Sequence, residues 1–283
     1  MSGWRWAVVA IVCAVVATPL LFRILDARSD SFRSQFARSR DALLARPTRA
    51  APPVTESELN GLPPLMQNYL RRAGAVGRPH VRNMRVAFRA QMRSSATAAW
   101  MQSEATQYEF FDPPARLFYM NASLFGVPLD ILHRYVDAAA TFQVRVVSLF
   151  PMVHVKGAGL THDETVTLMN DVLVMAPAAV LDLPFTFETR GPHAVRATFA
   201  NAGFTVSAEL AFDDAGDLIG FVSNDRAHSR EAGPAAWSTP LSGYREVNGI
   251  RIPALADANW IDASGEWTYG RFEIRDIAYN VTQ

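Results

Sequence analysis

The feature that most constrains this chain is an apolar run near its N-terminus, residues 6–22, interrupted only by one threonine and one proline. Arg5 precedes the run and Arg23 follows it. A helix of this length covers about 25 Å, slightly less than a bilayer core of about 30 Å. A few more residues at either end, with both arginines reaching the interfaces, close the difference. The run therefore predicts a transmembrane anchor within residues 1–27.

A cleaved signal peptide is the alternative interpretation of the same run. Residues 15–17, Val-Val-Ala, would then supply the small-residue cleavage site. Thr18 and Pro19 follow this site directly and make it a poor one. The sequence therefore favours an uncleaved anchor, followed by a basic juxtamembrane segment and proline-rich linker over 28–54 and one β-rich domain over 55–283.

The orientation of the anchor depends on two opposing features. Five arginines between residues 23 and 40, against only Arg5 before the run, favour a cytoplasmic body by the positive-inside rule. However, large C-terminal domains can cross the membrane despite flanking charge, and the single cysteine, Cys13, lies inside the run. A body without cysteine suits an oxidising compartment. We expect a single-pass protein of the inner membrane with a periplasmic body.

The charge distribution is uneven along the chain although the net charge is zero. Residues 1–93 contain 15 arginines against 5 acidic residues, and residues 94–283 contain 12 basic against 22 acidic residues. A basic stretch beside a membrane span is attracted to anionic headgroups, but it is also typical of a solvated linker. Since no aromatic residues are interleaved in the manner of a nucleic-acid site, we expect no nucleic-acid partner.

Downstream of residue 81 the apolar pattern changes to a period of two, which indicates β-strands. Asn248-Gly249 between two alternating runs predicts a tight hairpin. A capping-box pattern over 55–58 precedes a short helical region, and a second one over 161–164 begins a longer helix. We predict an α+β fold, mostly antiparallel β, with about ten or eleven strands in a strongly curved sheet or open half barrel and two or three helices.

Two resemblances accompany this prediction. The predicted strand number and length make the body similar in outline to periplasmic lipid and lipoprotein carriers. Residues 60–281 resemble an uncharacterised bacterial family of membrane-anchored proteins more closely, through motifs such as Tyr69-Leu70-Arg71-Arg72-Ala73-Gly74, Trp237-Ser238-Thr239-Pro240-Leu241 and Gly249-Ile250-Arg251-Ile252-Pro253. This family has no assigned activity, so the resemblance implies a domain of unknown function and no catalytic residue.

The candidate ligand contacts lie on the first long strand and on the longer helix. Asn170 falls on the apolar stripe of that helix, where a buried amide needs hydrogen-bond partners. It is either a structural clamp or a polar contact inside a ligand pocket, with Asp171 beside it. We add Trp100 and the side chains expected on the concave face of the sheet: Met84, Val86, Phe88, Ala90 and Met92.

Other chemistry has no support in the sequence. The six histidines lack metal-ligand spacing, the serines lack a nucleophile-elbow context, and no phosphate-binding loop follows a strand. We therefore expect no metal and no cofactor, and name no catalytic residue. Three functions remain: a membrane-anchored protein that binds a lipid or other apolar ligand, an envelope scaffold without a small ligand, and a hydrolase that uses Asp171 or His162 with an arginine.

Overall fold

The computed structural model of the chain describes residues 24–25, 27–226 and 235–282. The apolar run over residues 6–22 lies outside these residues, so the transmembrane anchor stays a prediction. Among the helices in the described part of the chain, none combines the length and the apolar character needed to span a bilayer.

The described residues form one antiparallel sheet of thirteen strands. Neighbours in the sheet are neighbours in sequence except at the centre, where the first strand pairs with the last. The strands are β1 (Asn83–Met92), β2 (Met101–Phe111), β3 (Pro114–Leu124), β4 (Val127–Val136), β5 (Ala139–Val146), β6 (Phe150–Lys156), β7 (Phe185–Gly191), β8 (Ala194–Asn201), β9 (Phe204–Phe212), β10 (Leu218–Ser223), β11 (Ala236–Val247), β12 (Ile250–Asp262) and β13 (Gly265–Tyr279).

The sheet is strongly curved and open. β4 and β8 stand nine places apart in the strand order, yet Asn201 on β8 donates a hydrogen bond of 2.6 Å to the Tyr135 hydroxyl on β4. Such a contact requires the two halves of the sheet to bend toward each other. β6 and β7 occupy the two edges. The predicted fold class, mostly antiparallel β in a curved open sheet, is confirmed for the described residues.

In the described part of the chain three α-helices pack on this sheet: α1 (Phe32–Leu44), α2 (Pro64–Arg72) and α3 (Ala158–Met175). Short 3-10 turns cover Glu56–Leu59 and Pro177–Leu181. α2 and α3 bury their apolar side chains in the concave face, together with the inward residues of most strands. α1 covers the convex face of β2–β4, where Phe32, Phe36 and Leu43 form a second, smaller core.

Local sequence signals correctly place several turns. Asn248 and Gly249 occupy the predicted hairpin with φ angles of 50° and 78°, and Val247 pairs with Ile250. The first capping box exists, with Thr55 and Glu58 bonded reciprocally, although it opens a 3-10 turn. The second box does not begin its helix. α3 starts earlier, at Ala158, and the Thr161 hydroxyl accepts a hydrogen bond from the Ala140 backbone instead.

Candidate functional site

A cavity of about 670 Å³ lies between the concave face of the sheet and α3. Its walls come from β1–β6 on one side and β11–β13 on the other, and one face of α3 supplies Asp163, Glu164, Thr167, Asn170 and Asp171. Because side chains of a strand alternate between faces, mainly every second residue of β1–β5 lines this space. The cavity has the size of a small-molecule or lipid site, for which volumes of about 300–1,000 Å³ are usual.

Most of the cavity wall is apolar. Aromatic and aliphatic side chains from both halves of the sheet surround it: Phe88, Met92, Phe118, Met120, Ile131, Phe142, Val153, Val155, Trp260, Trp267, Phe272 and Ile274. Phe88 and Phe272 face each other edge-on across β1 and β13, with ring centroids 5.9 Å apart. A wall of this kind offers dispersion contacts along its whole length but few hydrogen bonds.

A cluster of buried charges forms the polar part of the wall, with Arg116 on β3 at its centre. The guanidinium of Arg116 donates from Nε to Asp171 Oδ2 at 2.8 Å and from Nη1 to Glu164 Oε2 at 3.2 Å. Its Nη2 donates to Gln107 Oε1 at 3.0 Å. Gln107 in turn donates to Asp171 Oδ2 at 2.9 Å and to Glu109 Oε1 at 3.0 Å. The cluster therefore joins two strands to α3.

Burial and neighbouring charges together shift the pKa values in and around the cluster. Burial, helped by the nearby Asp171, raises the pKa of Glu109 well above its usual range, which favours the protonated form of this carboxyl. Within the described residues Glu109 Oε2 is buried without a hydrogen-bond partner. Burial also lowers the pKa of His133 to about 4, so the imidazole is neutral.

Glu164 is a buried carboxylate whose ionised form is favoured by its neighbours. Burial alone would raise its pKa, but His133, Arg116 and Arg226 together lower it below the usual value. Since His133 is neutral at pH 7, we attribute the lowered pKa to the two arginines and to the hydrogen bond that the Thr167 hydroxyl donates to Glu164 Oε1. Arg116 and Arg226 then balance Glu164 and Asp171 in number, and the charges of these four groups cancel.

Arg226 presents a second guanidinium to the cavity. It lies over the rings of Trp237 and Trp260, at 4.5 and 5.5 Å from the ring centroids, and donates to the Tyr269 hydroxyl at 2.9 Å. Its Nη2 is 3.9 Å from Glu164 Oε1, too long for a hydrogen bond. The aromatic rings hold the guanidinium in place, and Glu164 neutralises it only loosely at this distance.

Some of the site residues predicted from the sequence line the cavity, and others do not. Phe88, Asn170 and Asp171 line the cavity together. Met84 is fully buried in the core beneath it and does not reach the cavity wall. Trp100 lies outside the cavity, between the guanidinium groups of Arg93 and Arg271 at 4.5 and 4.7 Å from its ring centroid.

Asn170 has a protein partner as well as a position in the cavity wall. Its amide donates a hydrogen bond of 3.2 Å to the Thr239 hydroxyl on β11. The contact links α3 to β11 of the sheet, as a structural clamp would. The amide nevertheless borders the cavity, so both interpretations of Asn170 stay open.

The residues that sequence reasoning missed are Gln107, Glu109, Arg116, Glu164 and Arg226. A signal for three of them exists in the strand register, because Gln107 pairs with Phe118 and Glu109 pairs directly with Arg116. Polar side chains on the inward face of two paired strands indicate a buried polar site. His162, by contrast, packs edge-on against Phe204 and has Asp163 at 3.7 Å. Among the described residues no group of three potential ligands could hold a metal ion.

Comparison with known proteins adds a family and three structural relatives. Residues 52–272 match a family of unknown function, DUF6544. No curated protein sequence is significantly similar to the chain. Among solved structures, a putative outer membrane lipoprotein-sorting protein domain from Vibrio parahaemolyticus is similar at 6% identity and a TM-score of 0.41, over 70% of this chain and 86% of its own.

Two further structures show a comparable likeness. A DUF1329 family protein from Desulfovibrio piger is similar at 8% identity and a TM-score of 0.38, over 77% of this chain and 92% of its own. A LolA superfamily protein from Nitrosomonas europaea has 10% identity and a TM-score of 0.35, over 76% of this chain and 94% of its own. At these scores the likeness is one of broad outline.

Proposed function

Since the chain belongs to the DUF6544 family, whose function is unknown, we propose its function from the cavity itself. The body binds a lipid or another molecule with an apolar chain between the concave face of the sheet and α3. Residues 1–27 anchor this body to the inner membrane, with the body on the periplasmic side. The observation that supports the proposal is the cavity of about 670 Å³ with its largely apolar wall.

An apolar ligand fits this wall better than water does. A water molecule in a cavity needs two to four polar partners, and the stretch from Phe88 to Phe272 and Trp267 offers almost none. An acyl or similar chain in the same place exchanges its own exposed surface for dispersion contacts with these rings. Each buried methylene contributes about 0.8 kcal/mol.

The position of the polar side chains in the wall indicates how the ligand is oriented in the cavity. Arg226 and the Asn170 amide border the cavity, whereas Arg116 is already bonded on three sides by the protein. A hydrogen-bonding or anionic group on the ligand would therefore meet Arg226 first. We propose an amphipathic ligand with its polar end near Arg226 and its apolar chain along the β1–β13 wall.

The two alternative functions have less support. A scaffold domain needs no internal space of this size. A hydrolase based on Asp171 would have to use a carboxylate whose Oδ2 already accepts hydrogen bonds from Arg116 and Gln107. This carboxylate is held as part of the structure.

Native mass spectrometry of the full chain, released from detergent after purification from membranes, tests the proposal. We expect protein carrying one additional mass in the lipid range. Ala258→Phe, which adds a ring inside the cavity wall, should abolish that mass. The same substitution at Ala200, an exposed position on β8, should preserve it. A wild-type chain without bound mass, or equal ligand in the Ala258→Phe variant, would overturn the proposal.

A further inference from the structure

Large apolar side chains are exposed together at one end of the β3–β6 region. Phe125 is 88% exposed, Phe150 62% and Met152 65%, and Val127 and Leu149 beside them are also exposed. Phe125 lies in the β3–β4 turn, and Phe150 and Met152 lie at the start of the edge strand β6. Exposed patches of this kind mark interaction sites more often than scattered single residues do.

Strand register places these side chains at the same end of the sheet. Leu124 pairs with Val127 around the β3–β4 turn, and Val146 pairs with Phe150 around the β5–β6 turn. In an antiparallel meander every second turn falls at the same end, so the two turns lie close together. We call this end, with Phe125, Val127, Leu149, Phe150 and Met152, the apolar rim.

Folding does not explain the residues at the apolar rim. Phe125 has a φ angle of 52° and Val147 a φ angle of 48°, both in the left-handed region. Turn positions in the left-handed region favour asparagine, aspartate or glycine, and a bulky or β-branched residue at such a position is strained. A strained, exposed phenylalanine at a turn tip reduces stability and solubility, which indicates a role in contact with another surface.

The chain enters the body at the same end. The Arg145 guanidinium near the β5–β6 turn donates to the Asp30 carbonyl at 2.7 Å and lies over the Phe32 ring at 4.2 Å. α1 then runs to the opposite end, where Arg46 pairs with Asp137 of the β4–β5 turn at 3.1 Å. The N-terminus of α1 therefore lies next to the apolar rim, directly after the sequence that carries the predicted span.

We infer that the apolar rim docks on the surface of the lipid bilayer. The predicted anchor ends a few residues before α1, so the rim can stand no more than a short chain length from the membrane. Arg28, Arg33 and Arg145 lie around the N-terminus of α1; Arg28 pairs with Asp30 at 2.9 Å, and the group as a whole is positive, which suits anionic headgroups. Phe125, Phe150 and Met152 would then insert at the interface, as apolar side chains of peripheral proteins do.

Docking in this orientation would also bring the cavity to the membrane. Ser94, an exposed residue of the β1–β2 turn at the same end, borders the cavity, and Val153 borders it from β6 beside the rim. The inference rests on the anchor of the proposed function but not on its ligand. An empty cavity would therefore leave the docking inference intact, and a body that does not dock on the bilayer could still bind a ligand.

Depth-dependent fluorescence quenching in vesicles tests this orientation. The full chain, with Cys13→Ala to remove the native thiol, is reconstituted in vesicles of phosphatidylethanolamine and phosphatidylglycerol. An environment-sensitive fluorophore is attached at Phe125→Cys or Met152→Cys, and at Ala138→Cys as the matched control. Ala138 is an exposed turn residue at the opposite end of the sheet. Lipids with a spin label on the acyl chain serve as quenchers.

The expected result is severalfold stronger quenching, with a blue-shifted emission, at positions 125 and 152 than at 138. Equal quenching at all three positions would overturn the inference, as would a chain that does not float with the vesicles. A rim that stays unquenched in lipid but is protected when a second protein is present would assign the surface to a protein partner and also overturn it.

Discussion

Arg116→Leu is the substitution expected to disturb this protein most through a single side chain. It removes the guanidinium that bonds Asp171 at 2.8 Å, Glu164 at 3.2 Å and Gln107 at 3.0 Å. Glu164 is only 1% exposed, so water cannot replace the lost partner. Breaking a buried ion pair in this way costs about 3–5 kcal/mol, because an uncompensated charge remains in the interior.

The size of this loss can be measured by denaturant or thermal unfolding of the chain in detergent, followed by tryptophan fluorescence. For a domain of this size a loss of 3–5 kcal/mol corresponds to a melting temperature lower by roughly 6–20 °C. Arg196→Leu is the matched control. Arg196 pairs with Glu209 at 3.1 Å, and the two side chains are 42% and 48% exposed. Its loss should cost about 0–1 kcal/mol.

The pH dependence of the Arg116→Leu variant gives a second, independent result. Without Arg116, burial should raise the pKa of Glu164, as it already raises that of Glu109. A carboxyl with a raised folded-state pKa binds its proton more readily in the folded state, so stability increases as the pH falls. The defect should therefore shrink as the pH is lowered from neutral. A defect below 1 kcal/mol, or one independent of pH, would refute the buried-charge account.

Two further predictions test single hydrogen bonds, and a third tests the orientation of the body in the membrane. If the bond from Asn170 to Thr239 is a structural clamp, Asn170→Leu should lower the free energy of unfolding by about 1–3 kcal/mol and leave the ligand content unchanged. If Asn170 instead contacts the ligand, native mass spectrometry should show altered ligand while stability stays near that of the wild type. Tyr69→Phe should cost about 0.5–1.5 kcal/mol in urea unfolding, since the hydroxyl donates to the Leu173 carbonyl at 2.8 Å; no change would show that bond to be neutral. An alkaline phosphatase fusion after Gln283 should be active and a fluorescent protein fusion dark; the reverse pair would place the body in the cytoplasm.

Local patterns in the sequence predict most of the sheet because an antiparallel meander is built from neighbours. Alternation over β1 and the Asn248-Gly249 turn each specify their structure within a few residues. Periodicity does not identify β6, because the residues of this strand are exposed throughout and show no buried face. The pairing of β1 with β13, which joins the two halves of the sheet, depends on contacts almost two hundred residues apart.

The prediction that Asn170 lies on an apolar stripe of α3 was incomplete for a related reason. α3 is buried on nearly all sides, so its polar residues cannot be sorted into an inward and an outward face by periodicity. Only the three-dimensional arrangement shows that Glu164 and Asp171 meet Arg116, which is 48 and 55 residues away in the chain. Sequence reasoning identified Asp171 as a candidate but not the arginine that holds it.

Photo-crosslinking inside the cavity tests the central claim most directly. A benzophenone amino acid replaces Phe88, which lines the cavity, or its neighbour Arg89, which is exposed on the opposite face of β1. After irradiation of cells, mass spectrometry of the purified chain should show a covalent lipid-sized adduct at position 88 and none at position 89. Equal adducts at both positions, or no adduct at position 88 in a correctly folded chain, would contradict the account of a ligand held between the sheet and α3.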